Sequence, residues 1–120
     1  MRELLQSYVI LSCFIISMVP AQNPSQLFQQ ALLKENGEGN LKAAIKIYEQ
    51  IVADDNSGRE LRAKALLHMG RCWEKMGKAE ARNAYERLVN EFKDQQDVAG
   101  EAQIRLIALE KQNEPKVSQR

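Results

Sequence analysis

From about residue 25 onward, apolar residues recur in steps of three and four, the spacing that lines one face of an α-helix. The clearest stripe is Leu41, Ala44, Ile45, Tyr48, Ile51 and Val52, and a second is Ala81, Ala84, Tyr85, Leu88, Val89 and Phe92. Between them Leu61, Ala65, Leu66, Met69, Gly70, Trp73 and Met76 make a third face of the same period. The two outer stripes are copies, because Tyr48-Glu49-Gln50-Ile51-Val52 returns as Tyr85-Glu86-Arg87-Leu88-Val89 after a shift of 37 residues. The same shift carries Ala44 onto Ala81, and Ala65, Leu67 and Met69 onto Ala102, Ile104 and Leu106. Run backwards, it carries Ala65 and Met69 onto Phe28 and Leu32. One period therefore organises the chain from about residue 25 to 109, with two helices to a unit. The pattern predicts an all-α fold with helices near 25–35, 41–54, 58–76, 79–92 and 97–111.

The breaks between stripes carry turn and capping chemistry. Asn36-Gly37-Glu38-Gly39-Asn40 ends the first helix, with Asn40 placed to cap the second. Asp54-Asp55-Asn56-Ser57-Gly58 is a turn, and Ser57 followed by Glu60 has the spacing of a capping box. Gly77 closes the third helix, and Asp94 is the candidate cap for the last.

Residues 1–21 differ in kind. Arg2 gives a weak positive start, partly cancelled by Glu3, and Tyr8 to Val19 is an uncharged, mostly apolar run. That length suits a signal-peptide core and is short for a membrane span of ~20 apolar residues. Pro20 breaks the helix, and Val19-Pro20-Ala21 fits a peptidase site, which predicts a mature chain beginning at Gln22. Two other readings stand beside it: an uncleaved anchor, and a lipoprotein signal ending at Cys13. The apolar run continues for six residues past Cys13, which argues against lipidation there. The expected divisions are a signal peptide at 1–21, a helical repeat domain at 22–112 and a flexible tail at 113–120. The expected location is the periplasm or the exterior. Removal of the leader would leave Cys72 as the sole cysteine, so the fold would stand without an internal disulfide.

Composition narrows the work such a chain does. Lys and Arg total 17 against 16 Asp and Glu, a net charge of +1 that lacks the basic excess of a nucleic-acid binder. There is a single histidine, His68, four residues before Cys72 on the same expected helix. Two ligands do not make a metal site, and the pair reads as a semi-buried thiol beside a histidine at a helix edge. Gly37-Glu38-Gly39 is a turn and not a phosphate cradle, since it carries an acid and follows no strand. Glu49, Glu86 and Glu91 fall on the solvated backs of helices, within reach of Lys46 or Arg87. No catalytic residue, metal site, cofactor or small-molecule substrate is expected.

Leu66, Met69, Gly70 and Trp73, followed by Gly77, Ala81 and Tyr85, resemble the tetratricopeptide repeat. Gly70 would let neighbouring helices approach closely, and Trp73 would fill the space between them. The first unit departs from the pattern, with Leu33 where Gly70 stands and Asn36 where Trp73 stands. Phe92-Lys93-Asp94 and Glu101-Ala102-Gln103-Ile104-Arg105-Leu106 resemble the exported bacterial envelope branch of that family. The resemblance implies a short right-handed α-α superhelix of two and a half hairpins, behind a signal helix. It implies an exported adaptor or scaffold that binds a protein or peptide on a concave face. The alternative is an accessory domain or fragment of a larger envelope protein, such as an envelope enzyme or a repeat protein that continues into a β-propeller. The family's groove positions map onto Lys64, Leu67, Arg71, Glu74, Lys75, Glu101, Ile104 and Ala108. On the last helix Val98, Ala102, Leu106 and Leu109 can face the preceding hairpin. Ile104, Ile107 and Ala108 are left on another side, an open end suited to self-association or a partner.

Overall fold

The computed structural model describes residues 22–115, so the expected leader at 1–21 and tail residues 116–120 lie outside the described residues. Five helices follow one another: α1 (Pro24–Leu32), α2 (Leu41–Ala53), α3 (Arg59–Lys75), α4 (Glu80–Glu91) and α5 (Gln96–Asn113). There is no strand among the described residues. Each helix packs on the next, and α3 also touches both α1 and α5. This is the contact pattern of consecutive hairpins, α1/α2 and α3/α4, followed by α5 as the first helix of a third.

The expected stripes form the core. Ala44, Ile45, Tyr48, Ile51 and Val52 of α2 are buried, as are Ala81, Ala84, Tyr85 and Leu88 of α4. Phe92, just past α4, is also buried, beneath the Arg59 guanidinium at 4.7 Å from its ring centre. Ala102 and Leu106 of α5 are buried, and Val98 and Leu109 pack beside them, as the periodicity predicts. Trp73 differs from expectation. It is only partly buried and lies at the rim with Met76, Ile45 and Lys46, so it covers the core instead of filling it.

Two of the helix ends bear out the expected chemistry, two correct it, and the cap of α1 was not expected. Asn23 and Gln26 form a reciprocal capping box on α1, and the Asn40 side chain accepts from the Ala43 amide at 3.2 Å to cap α2. After α3, Gly77 takes φ 66°, a left-handed conformation that suits glycine, and Lys78 donates back to the Trp73 carbonyl at 2.9 Å. Ser57, by contrast, does not cap α3. It belongs to a 3-10 turn (Asp55–Ser57), is 8% exposed, and its hydroxyl has no partner among the described residues. The residue at the head of α3 is Gly58 at φ 77°, whose turn directs Ser57 away from the helix amides. Asp94 does not cap α5 either, because both its oxygens bond the Arg59 guanidinium at 2.7–2.8 Å.

Between α1 and α2 the helix widens into a π turn (Leu33–Gly37), in which Glu38 donates to the Leu33 carbonyl five residues back. This turn alters the register of the first unit. Leu33, expected at the small-residue position, is instead 59% exposed. The small, fully buried residue is Ala31, four positions before Glu35 as Gly70 is four before Glu74. The 37-residue shift thus holds for the second helices, while the packing equivalents in the first helices lie 39 apart.

Candidate functional site

Each repeat tyrosine donates its hydroxyl to a glutamate on the first helix of its own hairpin. Tyr85 meets Glu74 at 2.6 Å and Tyr48 meets Glu35 at 2.7 Å, across separations of 11 and 13 residues. Burial first, and then the adjacent carboxylate, pushes both phenols far above their ordinary value, so both remain donors.

The two carboxylates sit in different surroundings. Glu35 is buried, its side chain 3% exposed. It also faces His68 Nδ1 at 3.0 Å and Lys75 Nζ at 3.4 Å. His68 is held in turn by aromatic faces, stacked on Tyr48 and edge-on to Phe28, both at 5.5 Å between ring centres. Burial pushes the Glu35 carboxyl up, but the Tyr48 and His68 hydrogen bonds and the nearby cations outweigh it and leave the group below its ordinary value. A carboxylate between a tyrosine and a histidine has the ingredients of acid–base chemistry. Here all of them are taken up by one another beneath the surface, which makes the cluster a structural lock between α1, α2 and α3. Cys72 is fully buried beside it, and burial pushes its thiol up to about 12, so the thiolate a metal would need is suppressed. No group of three metal-ligating side chains occurs among the described residues.

Glu74 opens instead onto a charged edge shared by α3 and α5. Arg105 donates to Glu74 at 3.0 Å and to Glu101 at 3.1 Å, and Arg71 donates through Nε to Glu101 at 3.1 Å and through its terminal nitrogen to the same oxygen. All four side chains are about one-third exposed, so the edge is desolvated enough to be ordered and open enough to be reached. Burial raises the Glu101 carboxyl, and the two guanidinium groups lower it by more, leaving it below its ordinary value.

Of the groove residues expected from the repeat pattern, Arg71, Glu74 and Glu101 are brought together on this edge. Ala108 shares the line of Glu101 and Arg105 on α5 and is exposed. Lys75 lies one turn away, over Glu35, and Lys64 is exposed and paired with Glu60 at 2.6 Å. Leu67 is buried, 6% exposed, and belongs to the core instead of a surface. Ile104 and Ile107 face away from the core at 69% and 44% exposure. Arg105 and Glu35 were not expected in the site. Arg105 follows Glu101 by four residues, a helical ion-pair spacing that could have flagged it. Glu35 carried no such signal, because only the π turn rotates it inward.

A tetratricopeptide repeat model matches residues 27–55 and 64–94, half of the chain, and each match spans a hairpin whose tyrosine binds a glutamate. The chain belongs to the tetratricopeptide repeat family. Repeats of this family mediate binding of proteins and peptides, and its members are typically non-catalytic adaptors or scaffolds. No curated protein and no solved structure matches the chain. In this tetratricopeptide repeat chain the charged α3–α5 edge joins the first helices of two successive units.

Proposed function

We propose that this chain is an exported adaptor or scaffold of the bacterial envelope. Its hairpins would stack as a short right-handed superhelix and hold a protein or peptide segment along the α3–α5 edge. The observation that carries this reading is the Arg71–Glu101–Arg105–Glu74 array, four charges bonded to one another with about a third of each side chain still in solvent. An incoming carboxylate, from an acidic side chain or a chain terminus, can replace Glu101 in the Arg71 fork, where bidentate geometry favours it. Lys64 and Lys75 extend positive charge along α3, and Ala108 leaves room for backbone on the α5 side. The apolar run ending at Val19-Pro20-Ala21 supports export, with Gln22 as the mature N-terminus.

The test is a peptide array probed with the processed chain. Retained peptides should be enriched in Asp, Glu or free C-termini, and Arg71→Ala should weaken them by at least about tenfold, the scale of ~1.4 kcal/mol. Retention that is indifferent to acidic groups and to Arg71 would remove the edge from consideration. Mass spectrometry of the processed chain should show Gln22 first, and a retained Met1 would contradict cleavage.

A further inference from the structure

On α5 the side opposite the core carries one straight line of residues: Asp97, Gly100, Ile104, Ile107 and Lys111, in steps of three and four. All five are exposed, with Ile104 at 69% and Ile107 at 44%, and Ala108 flanks them. Nothing among the described residues accounts for Gly100. A Cβ added there would meet no atom within 4 Å, while a glycine inside a helix costs about 1 kcal/mol relative to alanine. Asp97 and Lys111 enter no ion pair among the described residues, although most other charges on α3 and α5 do.

The line is self-complementary about Ile104. Asp97 lies seven residues before it and Lys111 seven after, and Gly100 lies four before and Ala108 four after. A second α5 laid antiparallel across a two-fold axis at Ile104 would bring Asp97 of each copy beside Lys111 of the other. It would also set Gly100 against Ala108, two small residues that let the backbones approach, and Ile104 against its own copy. A parallel arrangement would instead oppose Asp97 to Asp97 and Lys111 to Lys111. We infer that this face of α5 is a homodimer contact, in which a second copy of the chain docks antiparallel about a two-fold axis at Ile104.

The contact is isologous, so it closes on itself instead of propagating. Ile104, set against its own copy at the axis, supplies the attraction. The Asp97–Lys111 pairs sit at the rim, where charge sets orientation more than affinity. One helix pair buries less than the ~1,200 Å² at the low end of stable interfaces, so the dimer is weak and concentration-dependent.

The test is sedimentation equilibrium of the naturally processed chain, from about 1 μM to about 1 mM. A monomer–dimer equilibrium is expected, abolished by Ile104→Glu with helix content unchanged by circular dichroism, since the residue is exposed. Asp97→Lys and Lys111→Asp should each weaken the dimer by about tenfold or more, because each puts like charges together twice. The double exchange Asp97→Lys/Lys111→Asp should restore it to within about threefold, and the two single variants mixed together should associate with each other. Four outcomes would overturn the proposal. These are a monomer throughout the concentration range, a dimer indifferent to Ile104→Glu, single variants equal to the unchanged chain, or a double variant weaker than either single. A strict monomer would assign the face to a different chain or to none.

Discussion

The two hairpins use one sequence pattern to reach two different interiors. In the second, Tyr85 packs against Gly70, where an added Cβ would sit 2.5 Å from the ring, and its hydroxyl points at Glu74 on the solvated edge. In the first, the chain has Ala31 in place of that glycine and a π turn after it, and Tyr48 points at a carboxylate sealed under His68 and Lys75. The second helices are near copies. The difference lies in the first helix, which exchanges glycine for alanine and which is α-helical through Lys75 in one case and widened from Leu33 in the other. One chain can thus keep its tyrosine-to-carboxylate bond while turning one copy toward a solvated charged edge and the other into a buried lock.

The sharpest way to break this comparison is at the two small residues. Gly70→Ala drives a methyl group into a rigid ring that is itself fully buried, so it should cost ~2–3 kcal/mol, as overpacking does. That is a large part of the ~5–15 kcal/mol a small domain has. Ala31→Gly should cost only ~1 kcal/mol, the helix-propensity difference. Urea unfolding of both variants decides the matter. Equal costs would mean that the two tyrosines pack alike and that the register offset is not real.

The tyrosine hydroxyls come next. Tyr48→Phe removes a hydrogen bond from a buried, charged acceptor and should cost ~2 kcal/mol, whereas Tyr85→Phe leaves Glu74 with Arg105 and water and should cost ~1 kcal/mol or less. The buried lock also predicts a pH dependence. Glu35 has its folded pKa below the ordinary 4.5, so its contribution is complete above that value and disappears as pH falls through the lower folded value. Glu35→Gln should therefore reduce the loss of stability below about pH 4.5, leaving the share carried by Glu60, Glu101 and Asp94, whose carboxyls are also lowered. An acid limb unchanged in Glu35→Gln would show that the carboxylate is not ionised in the fold.

Trp73 sharpens the boundary between the hairpins. The repeat pattern alone predicts a core residue whose truncation costs ~3–5 kcal/mol. At the rim, with part of the indole in solvent beside Lys46 and Ile45, Trp73→Ala should cost about half of that, ~2 kcal/mol. A loss at the upper end of the core range would mean that the indole is the joint between the two units.

What was legible in the sequence was whatever depends on local periodicity. The buried faces of α2 and α4 follow from i, i+3, i+4 spacing, and Asn40 and Gly77 follow from the fact that those residue types satisfy helix ends locally. What was not legible depends on contacts made at a distance. Asp94 has the composition of a cap, yet Arg59, 35 residues earlier, bonds it first. Ser57 has capping-box spacing, yet the left-handed Gly58 turns the chain between them. Leu67 looks like a groove residue at its repeat position, but neighbouring helices cover it. Glu35 is the clearest case. A lone glutamate near a helix end looks solvated, and only the π turn and three partners from α2 and α3 bring it inside. The charged edge was half visible, because Arg71 and Glu101 occupy repeat positions while their mutual bond spans 30 residues.

The smallest expected effect contrasts the starts of the two second helices. At the head of α2, Asn40 has left the helical region, with φ −88° and ψ 79°, and its side chain bonds the Ala43 amide. Asn40→Ala removes that bond and should cost ~1 kcal/mol. At the head of α4, Ala79 has φ −62° and ψ −22°, a helical conformation, and makes no side-chain cap. A capping side chain reaches the third amide only when its own backbone has left the helical region, so supplying the residue type without the backbone supplies no bond. Ala79→Asn should accordingly leave stability within ~0.5 kcal/mol, the range of an ordinary surface change. A gain near 1 kcal/mol on thermal unfolding would show that the Lys78–Ala79 link yields to the new side chain. The start of α4 would then accept a cap as the start of α2 does, and the contrast between the two hairpins would be confined to their first helices.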